Sequence, residues 1–160
     1  MLRLRECAEK INITGELRLD EPLAEHTTFR VGGEADLFAR PRSTADVAKL
    51  MRFAEQERLP WFVLGGGSNV LVSDRGIRGL VIETDFLARR SLDGPHLTVG
   101  AGLPISEVSA YAAEHGLAGL DFIYAMPGSV GGAVWMNARC YDGEISEVLA
   151  GVELVNPDGS

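Results

Sequence analysis

The sequence predicts an α+β domain of two lobes, a small parallel βαβ lobe followed by a mostly antiparallel strand lobe with helices. Three observations carry that prediction. A strand, a helix and a second strand follow one another before residue 65, each closed by a proline or a glycine run. Short β-rich runs separated by turn residues fill 70–99. After residue 100 the apolar spacing turns helical.

Residues 1–20 read as an N-terminal arm, a short helix and then a strand or extended stretch, leaving 21–160 as one domain. Gly33 to Arg40 alternates as a strand does, and Pro41 closes it. Ser43 and Asp46 have the spacing of a helix cap, and Val47, Leu50, Met51 and Ala54 mark one helical face that ends before Pro60. Trp61 to Leu64 reads as a short buried strand running into a glycine loop. Val70–Val72, Leu80–Ile82 and Leu97–Val99 are the next expected strands. Pro104 opens a helix with Val108, Tyr111 and Ala112 on one face, and Gly116 stops it. Val148 to Val155 alternates in part as a last strand, and Asn156-Pro157-Asp158-Gly159 has type I turn chemistry. A strand and turn with one residue left over lead to the expectation that the chain is cut within a hairpin.

The bulk numbers narrow the function. The chain has 160 residues, enough for one domain with a sizeable core and hardly for two. A net charge of −8 argues against nucleic acid or an anionic membrane as partner. No apolar run is long enough to span a bilayer, and the first residues alternate charge with apolar side chains rather than forming a signal peptide. The expected location is therefore the cytoplasm. Cys7 and Cys140 lack metal-ligand spacing and read as reduced, buried thiols; no metal is expected. His26, His96 and His115 are scattered and read as surface or core residues. No set of side chains stands out that could carry chemistry alone, so a cofactor is implied.

Two glycine clusters give that cofactor a place. Gly65, Gly66, Gly67, Ser68 and Asn69 follow a strand, and Val70 continues it. Glycines allow close backbone approach, and successive N–H groups in such a turn form a nest for an anion. The only lysines, Lys10 and Lys49, lie outside both clusters, so a diphosphate would rest on backbone donors. A β-branched side chain at position 66 should then cost binding more than stability. Walker and Rossmann loops are excluded: no lysine closes the first, and Val70 stands where the second needs a small residue before a helix. Gly100-Ala101-Gly102 reads as a structural turn near the cofactor. The second cluster is Pro127, Gly128, Ser129, Val130, Gly131, Gly132 and Ala133, small enough for a flat ring or a diphosphate at the start of a helical turn.

Three motifs in this order resemble one family over nearly the whole chain: Thr28 to Asp36, Leu64 to Leu71, and Pro127 to Ala133 with Asn137. They are similar to UDP-N-acetylenolpyruvoylglucosamine reductases, within the vanillyl-alcohol-oxidase-type group of FAD-binding proteins. The resemblance implies a two-lobed FAD-binding domain, with the Gly65–Val70 loop on the FAD diphosphate and Pro127–Ala133 with Asn137 lining the other side. It places Gly79–Ile82 beside the adenosine half. It implies NADPH as hydride donor and a nucleotide sugar, UDP-N-acetylglucosamine enolpyruvate, as acceptor, in peptidoglycan synthesis and thus in cell-wall biogenesis, cell shape and division. The family's proton donor and enolate stabilisers would lie beyond Ser160, in an absent C-terminal substrate domain. No catalytic residue is therefore expected here, and this chain alone is expected to be inactive. Family members often show Gly-Ile-Pro-Gly where this chain has Ala125-Met126-Pro127-Gly128, and Asn-Ala-Gly-Ala-Tyr-Gly where it has Asn137 to Asp142. The other readings are a flavin oxidase of the same superfamily and a non-catalytic nucleotide-binding domain.

Overall fold

The computed structural model describes Ala8 and residues 11–160. The short helix expected at the N-terminus and Cys7 lie outside the described residues. The first lobe is a four-stranded sheet in the order β1-β2-β4-β3, made of β1 (Gly15–Pro22), β2 (Glu34–Pro41), β3 (Trp61–Leu64) and β4 (Ile77–Glu83). β1 is antiparallel to β2, while β2 and β3 both run parallel to β4. The sheet thus takes in the last residues of the expected arm. The parallel βαβ unit is present, with β4 inserted between its two strands.

Helix α1 (Thr44–Glu57) covers one face of this sheet. Ser43 caps it, its Oγ accepting from the Asp46 N–H at 3.2 Å. Arg58 ends it in a left-handed conformation two residues before Pro60. Leu50, Met51 and Ala54 meet Leu37 and Ala39 of β2 and Leu80 and Ile82 of β4. Phe38 and Val81, one residue out of step, point to the opposite face and pack with Leu23, Leu64 and Val72.

The second lobe begins with the hairpin β5 (Arg90–Asp93) and β6 (His96–Val99). Helix α2 (Ile105–Glu114) follows, then α3 (Val130–Met136), the short hairpin β7 (Arg139–Cys140) and β8 (Gly143–Glu144), and one helical turn α4 (Ile145–Val148). Its core is Leu103, Ile105, Val108, Phe122, Ile123, Ala133 and Ile145. Cys140 is a free, half-buried thiol.

Three strand expectations need correction. Trp61, Phe62 and Val63 are exposed, because β3 is the edge of the sheet and only Leu64 is buried. Val70–Val72 is not a strand: Val72 is buried as an anchor under the first lobe, while Leu71 is 75% exposed. Val148–Val155 starts in α4 and continues without ladder pairing among the described residues, so its alternation has no neighbour to act upon. The turn after it does form, Gly159 N–H donating to Asn156 C=O at 2.8 Å.

Candidate functional site

The two glycine clusters, sixty residues apart in the chain, lie against each other. Gly65 follows β3 directly, and Ser129 caps α3, so each loop is fixed at one end by a regular element. The Ser129 hydroxyl, 4% exposed, accepts from Gly66 N–H and from Gly132 N–H, both at 3.3 Å. One side chain therefore ties the loops together and caps the helix.

This contact changes the reason for the glycines. A Cβ on Gly65 would stand 2.4 Å from Ser129 Oγ, and one on Gly66 would stand 3.0 Å from Gly128 Cα. Gly67 has φ +61°, and a Cβ there would lie 2.1 Å from the His26 carbonyl oxygen. All three are demanded by packing within the chain. A valine at 66 would strike the backbone of Gly128, so it should lower stability as well as binding, contrary to the sequence-based expectation. Gly131 is held likewise, a Cβ falling 3.0 Å from that of Ala101. Gly132 differs: only Ser129 Oγ, at 3.4 Å, is near its missing side chain.

The third glycine cluster sits behind the seam. Ala101 C=O accepts from Gly131 N–H at 2.7 Å, and Leu103 C=O from Val130 N–H at 2.9 Å. A Cβ on Gly100 or Gly102 would collide with the carbonyl oxygen of Leu87 or Thr84. This is the structural turn that the sequence suggested.

Free donors remain at the seam. Ser68 and Asn69 have no hydrogen-bond partner among the described residues, in backbone or side chain, and Asn69 is exposed. Pro127 is exposed and Gly128 half-buried beside Ser68, a Cβ on Gly128 falling 2.7 Å from Ser68 Oγ. Val70 and Ala133 pack into the first and second lobes' cores. Asn137, left-handed at φ 44°, lies at the far end of α3, and its Oδ1 accepts from Ser146 N–H at 2.9 Å. Its side chain thus also positions α4.

Sequence reasoning missed the groups beneath the loop. The His26 ring lies between two carboxylates, Nδ1 2.8 Å from Glu83 Oε1 and Nε2 2.9 Å from Glu21 Oε1. Arg40 reaches Glu83, Asp85 and Glu16. Burial, then the neighbouring Asp85, holds the Glu83 carboxyl above its ordinary range. Burial also opposes ionisation of Glu21, but hydrogen bonds from His26 and Arg18 outweigh it and hold that carboxyl low. No spacing in the sequence signals this cluster, since its members come from β1, β4 and the turn between β1 and β2.

The comparisons bear on this geometry. A family model described as an FAD binding domain matches residues 35–160. The chain belongs to this FAD-binding family. The motif resemblance is borne out by its relatives: UDP-N-acetylenolpyruvoylglucosamine reductase of Halalkalibacterium halodurans is 42% identical over 91% of this chain, and that of Streptococcus pneumoniae 44% identical over 90%. The chain spans about half the length of these relatives, 49% and 48%. The crystal structure of the reductase from Thermus caldophilus superposes with a TM-score of 0.64 at 33% identity, covering 83% of this chain and 46% of that one. The α+β FAD-binding fold expected from the sequence is thereby shown for this FAD-binding chain.

The seam fits FAD on its own terms. A diphosphate needs several donors, and Ser68 and Asn69 offer backbone and side-chain donors, unpartnered among the described residues, in a glycine loop.

Proposed function

We propose that this chain holds FAD noncovalently at the seam between its lobes. In this reading it is the flavin-binding portion of an NADPH-dependent reductase converting UDP-N-acetylglucosamine enolpyruvate to UDP-N-acetylmuramate, in the cytoplasm. The observation that carries the reading is the meeting of two loops with unpartnered donors, Ser68 and Asn69, at their junction. The relatives' shared name, UDP-N-acetylenolpyruvoylglucosamine reductase, supports a reduction of that nucleotide sugar. No helix among the described residues is long and apolar enough to cross a membrane, which accords with a small-molecule substrate in water.

The division of labour follows from the residues. Backbone donors of Ser68 and Asn69 would hold the diphosphate, and the Asn69 side chain could add a further donor. Ser129 fixes the loop that presents them. At Gly132 only Ser129 Oγ, among the described residues, comes within 4 Å of where a Cβ would stand, which leaves room at the start of α3. The chemistry that FAD supplies when bound is two-electron hydride transfer. The protein's part here is to fix position and orientation, which alone lowers a barrier substantially. The proton donor and the groups that stabilise an enolate are assigned to the length of the relatives that this chain does not cover.

Reconstitution tests the reading. FAD added to the chain should bind stoichiometrically and give a yellow protein, and acid precipitation should release all flavin into the supernatant. A colourless protein after reconstitution contradicts the cofactor assignment. Flavin left in the pellet contradicts noncovalent binding and favours the oxidase reading.

A further inference from the structure

The candidate loop rests on a charged cluster to which the proposed function gives no part. Gly67 lies against His26: a Cβ on Gly67 would be 2.1 Å from the His26 carbonyl oxygen, and the Thr28 N–H donates to Gly67 C=O at 3.1 Å. The backbone of His26–Thr28 is thus the seat of the loop. The ring of the same His26, only 11% exposed, is gripped from both sides, by Glu21 of β1 and Glu83 of β4. It also lies on Phe38 of β2, ring centroids 4.3 Å apart. The other charges facing this group are Arg18 on Glu21, Arg40 on Glu83, and Asp85 and Glu16 on Arg40.

Both ring nitrogens face carboxylate oxygens within hydrogen-bond distance, and this fixes a proton count. A neutral imidazole carries one N–H and can donate in one direction only. Its bare nitrogen would then face an ionised carboxylate at under 3 Å, lone pair against lone pair. Both contacts become hydrogen bonds only with one more proton, either on the ring or on Glu83. Burial favours that proton staying in the cluster, since Glu83 is 7% exposed and its Oε2 has no hydrogen-bond partner, only the Arg40 ion contact at 2.8 Å.

We propose that the Glu21–His26–Glu83 cluster is a proton-held brace for the Gly65–Asn69 loop, linking FAD affinity to the protonation of these three side chains. The inference rests on the FAD reading of that loop. With the extra proton present, β1, β4 and the His26 turn are locked and Gly67 is seated. When the proton leaves, one contact turns repulsive, the ring shifts, and the backbone that seats Gly67 shifts with it. The sign is fixed by the carboxyl held high: its contribution is present at low pH and lost as pH rises. Glu21, held low, keeps its contacts until the solution is acid.

FAD titrations of the 160-residue chain, followed by flavin fluorescence, separate the possibilities. Affinity should fall at least fivefold, about the lower bound of ordinary coupling, as pH rises from the ordinary carboxylate range upward through the raised range of Glu83. His26→Gln, whose two N–H donors sit on one nitrogen and cannot span the two carboxylates as the two ring nitrogens do, should bind at the weaker level throughout and lose this slope. Glu83→Gln supplies an amide that donates to the neutral ring, so it should keep the tighter level at the higher pH. Titration of FAD itself is common to all three proteins and cancels in the comparison. Equal pH slopes in the three proteins overturn the brace while leaving the cofactor reading intact. Failure of the unsubstituted chain to bind FAD at any pH overturns both.

Discussion

Ser129 accepts two hydrogen bonds at the crossing of two loops and the start of a helix. Ser129→Ala leaves the Gly66 and Gly132 N–H groups without this acceptor. The cost should be about 1–2 kcal/mol, the usual range for a lost helix cap together with a second hydrogen bond, read from the urea midpoint. Ala125 gives the opposite sign. It sits at φ 58°, a left-handed conformation, at the position where members of the family often carry glycine. Ala125→Gly should raise stability by about 0.5–1 kcal/mol, since left-handed strain in alanine exceeds the entropy that glycine loses. At this scale the structure gives Gly65, Gly66 and Gly67 a packing reason that the sequence does not show. Gly65 and Gly66 are legible as a cluster, but only the fold shows that Gly128 and Ser129 are what they admit. His26 is illegible, because its partners Glu21 and Glu83 are drawn together by two different strands.

Helix α1 shows how far an element can be read before its surroundings are known. Its cap, apolar face and end follow from Ser43, Leu50, Met51, Ala54 and the residues before Pro60. What the sequence does not show is that Asp46 is buried there and bonded by more than its own cap. Burial alone would raise its carboxyl, yet the hydroxyls of Ser43 and Thr14 and the Lys49 ammonium outweigh it and hold it at about 2, from 3.8. A depressed carboxyl stabilises above its ordinary range and loses that contribution as pH falls through the depressed value. Asp46→Asn should therefore cost on the order of 1–2 kcal/mol at neutral pH, and the gap to the unsubstituted chain should close as pH falls from 3.8 towards about 2. Denaturant unfolding of both proteins across that range checks it. The elements that sequence reading misplaced, Val70–Val72 and Val148–Val155, share one cause. Alternation reports which side chains are apolar, and a strand also needs a neighbour to bond with.

The two lobes meet at a narrow seam. Gly66 N–H bonds the Ser129 hydroxyl across it, the 101–103 turn backs the start of α3 from within the second lobe, and Gly100 and Gly102 press on the carbonyls of Leu87 and Thr84. Each lobe keeps its own apolar core, so the seam contributes little hydrophobic stabilisation and much geometric restriction. A ligand gripping both loops would add what the seam lacks. At FAD concentrations about a hundred times Kd, mass action adds about 2.7 kcal/mol to the state that binds. For a domain of this size that corresponds to a rise in Tm of about 5–10 °C. Because the donors stand on the first lobe and Ser129 on the second, the rise should apply to the whole chain as one transition. Calorimetry with and without FAD tests this. A thermogram in which FAD lifts one of two separate transitions would place the cofactor on a single lobe. In Ser129→Ala, where the loops are no longer tied, the same FAD concentration should give a smaller shift, since a looser loop binds less tightly and mass action scales with that affinity. An unchanged shift in that variant would mean that the Gly65–Asn69 loop binds without help from the second lobe.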